Sequence, residues 1–217
     1  MSQRPIASYI DHTILSPLAS LSAVTKICEE VKENNFASAC IPPYFVPKMR
    51  AKFGDSIKIA TVIGFPFGYS HTLAKKMEIE QAINDGVDEI DMVVNIAAIK
   101  NQDWEYLKKE IHNCMTPIRR ARKVIKIIIE SGMLTNEEII KCCELYGAYK
   151  IDYLKTSTGY AEKGASEEAV ALFKKHLPEG VKIKASGGIR DKETALKMIA
   201  LGAERIGASA GLEIIKL

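Results

Sequence analysis

Eight short runs rich in β-branched and other apolar residues recur along the chain, at 8–13, 37–41, 58–63, 89–94, 124–129, 150–154, 182–185 and 205–207. That composition predicts strands. Amphipathic stretches lie between them. Leu73, Met77, Ile79 and Ile83 approximate one helix face, and so do Ile139, Ile140, Cys143 and Leu145. Ala195, Met198, Ile199 and Leu201 form another, with Gly202 as its stop. Regular alternation of strand and helix predicts a parallel sheet with right-handed crossovers. Eight such units in 217 residues predict one α/β domain over 1–217, a single (β/α)8 barrel of the TIM type. An open doubly wound sheet is the runner-up, weakened because no GxGxxG opens a first helix.

In such barrels chemistry sits at the C-terminal ends of the strands. The residues there are Asp11-His12-Thr13, Cys40, Gly64-Phe65-Pro66-Phe67-Gly68, Asp91 with Asn95, Glu130-Ser131-Gly132, Lys155-Thr156-Ser157-Thr158-Gly159, Lys184 with Ser186-Gly187-Gly188, and Gly207-Ala208-Ser209-Ala210-Gly211. Side chains alternate along a strand, so Glu89, Asp91 and Val93 share a face opposite Ile90, Met92 and Val94. The apolar set suits the outer helices, and Asp91 then points inward. The same parity sets Lys155 with Tyr153 and Ile151, and Lys184 against Ile183 and Ala185. Two lysines and an aspartate are thus expected to converge on one enclosed mouth. Charged groups are rarely buried unless paired, so a structural ion pair is the competing reading for each residue alone.

Composition narrows the partners. The chain is 47% hydrophobic and 26% charged, and its formal charge of +3 comes from 30 basic and 27 acidic residues, interspersed. Neither nucleic acid nor an anionic membrane is called for. The densest basic run, 119–126, reads as a solvated helix end. No stretch is apolar and long enough to span a bilayer, and the N-terminal MSQRPIASYIDHT lacks a hydrophobic signal core. Cys28, Cys40, Cys114, Cys142 and Cys143 form no CxxC pair, and their odd number argues against a disulfide framework. A reducing cytoplasm is expected.

A lysine attacks a carbonyl only when neutral, and its ordinary pKa of about 10.4 keeps it protonated. Burial and a second nearby cation both disfavour the charge. A lysine pair in a barrel therefore suggests Schiff-base chemistry, with the iminium as electron sink and Asp91 moving protons. Spacing alone leaves open which lysine is the nucleophile. His12, His71, His112 and His176 make no HxH or HExxH arrangement, so an imine is favoured over a metal enolate, with no metal and no cofactor. His112 and His176 are expected at the surface, and His12 in packing or hydrogen bonding. The glycine loops Ser186-Gly187-Gly188-Ile189-Arg190 and 207–211 follow the last two strands, where this barrel usually holds phosphate. A small phosphorylated sugar or aldehyde is the expected substrate.

The segments Lys155-Thr156-Ser157-Thr158-Gly159 and Lys184-Ala185-Ser186-Gly187-Gly188-Ile189-Arg190 carry a resemblance to the deoxyribose-phosphate aldolase family of class I aldolases. Asp11-His12-Thr13, Cys40-Ile41-Pro42, Val62-Ile63-Gly64-Phe65-Pro66 and Glu89-Ile90-Asp91-Met92-Val93 extend it over nearly the whole chain. The resemblance implies reversible cleavage of 2-deoxy-D-ribose 5-phosphate to D-glyceraldehyde 3-phosphate and acetaldehyde. It implies Lys155 as the Schiff-base lysine, Lys184 as the second lysine and Asp91 as the proton-transfer group. It further implies substrate contacts from Asp11, Cys40, Thr158, Gly159, Gly187, Gly188, Gly207 and Ser209, and a homo-oligomer, dimer or tetramer. Some members carry a tyrosine on a C-terminal tail, whereas residues 213–217 contain none. The rival readings are a Schiff-base aldolase for another sugar phosphate and a non-catalytic sugar-phosphate binder.

Overall fold

The computed structural model describes residues 4–216, and its eight strands close into a barrel in chain order, every neighbouring pair parallel. The strands are β1 (Ile10–Thr13), β2 (Ser38–Ile41), β3 (Ile59–Ile63), β4 (Glu89–Val93), β5 (Val124–Ile128), β6 (Tyr153–Lys155), β7 (Lys182–Ser186) and β8 (Arg205–Ala208). The helices are α1 (Leu21–Asn34), α2 (Val46–Phe53), α3 (Thr72–Asn84), α4 (Ile96–Lys100), α5 (Trp104–Arg120), α6 (Asn136–Ala148), α7 (Glu167–His176), α8 (Lys192–Ala200) and α9 (Gly211–Ile215). The predicted architecture is therefore the one observed. The expectations for the N-terminal segment and the end of the chain fall partly on Met1, Ser2, Gln3 and Leu217, which lie outside the described residues.

Local chemistry sets the boundaries. Ser20, Asp103, Ser166 and Asp191 each accept a backbone N–H in the first turn of their helix, and Thr135 with Glu138 makes a reciprocal capping box on α6. Gly202, with φ of 111°, ends α8 where its own N–H reaches Ile199 O and the N–H of Ala203 reaches Met198 O. Ile151 is buried, yet β6 starts only at Tyr153 rather than at residue 150. Lys150 sits at φ of 51°, outside the extended region, and its N–H closes a turn on Gly147 O. Likewise β1 begins at Ile10, because Ile6–Tyr9 is a 3-10 turn.

The outward strand faces and the inner helix faces form one apolar layer, including Ile10, Ile41, Ile59, Ile90, Ile127, Leu154, Ile183 and Ile206. Two sequence expectations are corrected here. First, Leu73 and Met77 do not share the buried face of α3; they are 61% and 59% exposed, while Ile79, Ala82 and Lys75 face inward. Periodicity misassigned the face because α3 buries a lysine. Lys75 Nζ donates to Glu110 Oε1 and to Val93 O, both at 2.8 Å, so its charge is paired. Second, residues 119–126 are not all solvated. Arg119, Arg120 and Arg122 are exposed, but Lys126 is fully buried inside the barrel. His112 is exposed, His176 half-buried, and His12 bonds Glu30 Oε2 at 2.6 Å. All five cysteines are free and buried, and among the described residues no helix is long and apolar enough to cross a membrane.

Candidate active site

The barrel interior is divided by chemistry. Toward β2 and β3 it is small and apolar, with Cys40, Ala60 and Val62 packed under Leu15 and Phe65. The remaining strands bring in charge. Lys155 Nζ and Lys184 Nζ both donate to the same oxygen, Asp91 Oδ2, each at 2.7 Å. Lys184 Nζ also donates to Asp11 Oδ2. Lys126 Nζ donates to Asp91 Oδ1 at 2.7 Å and lies 2.6 Å from Glu89 Oε2. Arg205 joins Asp11 to Glu89, through Nε to Asp11 Oδ1 at 2.7 Å and Nη2 to Glu89 Oε2 at 2.8 Å. Ser38 Oγ completes the Asp11 shell at 2.7 Å. Parity explains the convergence. Asp91 pairs in register with Lys126 on the adjacent strand, and Lys155 with Lys184, and closure of the staggered barrel brings these two inward pairs together.

The charges in this network do not balance evenly. Three carboxylates, Asp11, Glu89 and Asp91, face four cations, Lys126, Lys155, Lys184 and Arg205. Burial alone would raise the Asp91 carboxyl, but Lys126, Lys155 and Lys184 outweigh it and hold Asp91 well below the usual carboxylate range. Asp11 is lowered in the same way, by Arg205, Lys184 and Lys126 against burial. For Lys184, burial is outweighed by Asp11 and Asp91, and its ammonium is held above the ordinary lysine value. Lys155 goes the other way. Burial and the Lys184 cation together outweigh its one carboxylate, Asp91, and its pKa is lowered. The surplus charge thus falls on Lys155, which has one carboxylate partner where Lys184 has two.

Lys155 is also the lysine that reaches the mouth. A cavity of about 340 Å³ opens above it, lined by Thr158, Gly159, Gly187, Gly188, Gly207 and Ser209, with exposed Arg190 at its rim. Gly187 and Gly188 have φ of 89° and 82°, which opens the β7 loop onto the cavity at little steric cost. A Cβ on Gly207 would meet Ser186 Cβ at 2.8 Å and Lys184 Cε at 3.1 Å, so only glycine leaves room for that lysine. The β7 loop does not itself open the next helix, since Asp191 intervenes and caps Lys192–Ala200 through the N–H of Thr194. Asp11, Cys40, Asp91 and Lys184 are buried and do not line the cavity. Burial pushes the Cys40 thiol up, so it stays a neutral packing group.

The sequence assigned no role to Lys126, Arg205 or Glu130, although Glu130 stands among the strand-end residues. Lys126 and Arg205 carry the right parity on their strands but were masked, one by a basic run and one by its place at a strand start. Glu130 is buried at φ of 51° and accepts the Thr158 N–H at 3.2 Å, together with the Thr158 hydroxyl. It ties the β6 loop to the end of β5. Burial raises its carboxyl pKa above the ordinary value.

Residues 6–216 match the model of the DeoC/LacD family aldolases. A deoxyribose-phosphate aldolase of Clostridium tetani is 42% identical over 212 residues, 97% of this chain and 98% of that one. The crystal structure of a putative deoxyribose-phosphate aldolase from Coccidioides immitis superposes with a TM-score of 0.92 at 37% identity, over 97% of this chain and 84% of that one. The tetrameric deoxyribose phosphate aldolase of Aeropyrum pernix superposes with a TM-score of 0.91 at 27% identity, over 97% of this chain and 89% of that one.

Proposed function

The chain belongs to the DeoC/LacD family of aldolases, and we propose how its residues divide the work of a class I deoxyribose-phosphate aldolase. The reaction is the reversible cleavage of 2-deoxy-D-ribose 5-phosphate to D-glyceraldehyde 3-phosphate and acetaldehyde through a lysine imine. The reading is carried by one observation: two buried lysines share Asp91 Oδ2, and only the one with a lowered pKa opens to the cavity. A neutral amine at Lys155 attacks the C1 aldehyde of the substrate. The carbinolamine loses water to give an iminium, a proton leaves the C3 hydroxyl, and the C2–C3 bond breaks. Its electron pair enters the iminium to form an enamine. Protonation at C2 and hydrolysis then release acetaldehyde and restore the amine. Asp91, held ionised, accepts from both lysine nitrogens and moves protons, directly or through water, during carbinolamine formation and at the C3 hydroxyl. Lys184 stays an ammonium, stabilising Asp91 and depressing Lys155.

The phosphate of the substrate lies three bonds from the cleaved C2–C3 bond, and the glycine cavity suits it. Backbone at Gly159, Gly187, Gly188, Gly207 and Ser209 approaches the anion without side-chain interference, and Arg190 adds charge. Thr158 borders the sugar, whereas Asp11 and Cys40 act from beneath, Asp11 through Lys184. Residues 1–217 work as one catalytic domain. The protein is further proposed to assemble as a homo-oligomer, dimer or tetramer, which light scattering at micromolar concentration tests; a monomer throughout would end that reading. The expected location is the cytoplasm, and no cofactor is required by this chemistry.

The deciding experiment for the mechanism is incubation with acetaldehyde and borohydride, without added metal, followed by peptide mass spectrometry. A reduced two-carbon adduct on Lys155 is expected. An adduct confined to Lys184 reverses the lysine roles, and no adduct on either removes imine chemistry.

A further inference from the structure

Above the barrel, the loop after β6 is drawn across the mouth by one side chain. Tyr160 Oη donates to Leu15 O at 3.0 Å, joining that loop to the one after β1. Its ring stands edge-on against Phe65, with centroids 5.4 Å apart and an interplanar angle of 90°. The base of the residue is pinned as well, because its N–H donates to Thr158 Oγ1 at 3.0 Å and Thr158 is clamped by Glu130. Tyr160 is therefore held at both ends, although its side is half exposed.

Two cavities meet at this residue. On one side is the glycine-lined space above Lys155. On the other is a chamber of about 310 Å³, lined mainly by Pro66, Phe67, Tyr69, Ile96 and Met133. Thr158 and Tyr160 line both. The two spaces differ in chemistry. The first offers backbone donors and Arg190, whereas the second offers mostly aromatic and aliphatic surface, with Lys100 and Glu130 as its charged lining. A phosphorylated aldehyde gains little from the second, since Lys100 at its edge is already paired with Glu138 Oε2 at 2.8 Å and the remaining lining is apolar or acidic. An uncharged aldehyde with an alkyl or aryl arm gains by burying that arm.

We propose that Tyr160 is a specificity-determining residue: it closes the mouth over the phosphorylated substrate and walls it off from an apolar chamber suited to the arm of an uncharged aldehyde acceptor. This rests on the aldolase reading above. The phenol hydroxyl and the ring have separable duties. The hydroxyl latches the loop, and the ring is the wall.

The test compares the parent enzyme with Tyr160→Phe, Tyr160→Ala and Ala97→Phe, the last filling the chamber from α4, away from the lysines. Two reactions are measured: cleavage of 2-deoxy-D-ribose 5-phosphate, and addition of acetaldehyde to phenylacetaldehyde. Tyr160→Ala is expected to raise KM for the phosphorylated sugar about tenfold with kcat within about threefold, and to speed the phenylacetaldehyde reaction about tenfold. Tyr160→Phe loses one hydrogen bond, so KM rises about threefold and the aryl acceptor gains nothing. Ala97→Phe leaves the parent reaction unchanged and cancels the aryl gain when combined with Tyr160→Ala. If both reactions change by one factor in Tyr160→Ala, or the gain survives Ala97→Phe, the wall is refuted. Tyr160→Leu replaces the alanine variant if that one does not fold. A parent enzyme that forms the acetaldehyde adduct but does not cleave the phosphorylated sugar refutes the substrate reading instead, and the effect of Tyr160→Ala on the aryl acceptor still decides the wall.

Discussion

Replacing Lys155 with leucine is expected to lower kcat/KM for 2-deoxy-D-ribose 5-phosphate by about 10⁴-fold, or ~5.5 kcal/mol of transition-state stabilisation, and to abolish the borohydride-trapped adduct. Among the described residues no other lysine lines the cavity. Lys184 is engaged by both Asp11 and Asp91 and does not line the cavity, and Lys126 lies beneath it against Asp91 and Glu89. The variant is expected to fold at least as stably as the parent. Lys155 is the surplus cation of the network, and Asp91 keeps Lys126 and Lys184 when it is gone. Steady-state kinetics and a thermal melt on the same sample check both halves. Activity within a hundredfold of the parent would remove Lys155 as nucleophile.

The second large effect is expected at Lys184. Lys184→Leu should cost about 10²- to 10³-fold in kcat, the range of one proton-transfer partner, and leave a folded protein. Asp11 retains Arg205 and Ser38, and Asp91 retains Lys126 and Lys155, so neither carboxylate is stranded. The pH dependence carries the more specific signature. In the parent, kcat/KM rises with pH as free Lys155 loses its proton, and levels off below the ordinary lysine value because the Lys155 pKa is lowered. Losing Lys184 removes a cation that depresses Lys155 and leaves Asp91 Oδ2 to Lys155 alone, and both changes raise its pKa. The rising limb should therefore move to higher pH. A limb that stays in place while activity falls would make Lys184 a partner in proton transfer without influence on the nucleophile. Unchanged kcat would exclude it from the mechanism.

Several of these residues are legible in the sequence. Strand alternation set Asp91 and Lys184 inward, because their neighbours Ile90, Met92, Ile183 and Ala185 are the ones a helix layer wants. The glycine runs after the last two strands marked where backbone approaches an anion. Helix faces were less secure. Leu73 and Met77 looked like core and are exposed, because α3 turns Lys75 inward to a buried partner on α5 that sequence spacing does not reveal. Tyr160 gave no signal at all, as its role depends on a carbonyl 145 residues away.

By itself, then, the order of residues determined the strand–helix alternation, the barrel, and which strand ends carry lysine, aspartate and glycine. These are local properties, set by periodicity and backbone preference. Only the closed barrel makes the two lysines unequal, which is the ground on which Lys155 is proposed as the nucleophile. That choice depends on the difference between Lys155, with one carboxylate, and Lys184, with two, and on which of them opens to the cavity. Electrostatic balance is a sum over neighbours from β1, β4, β5, β7 and β8, which are distant along the chain and come within a few ångströms only when the barrel closes.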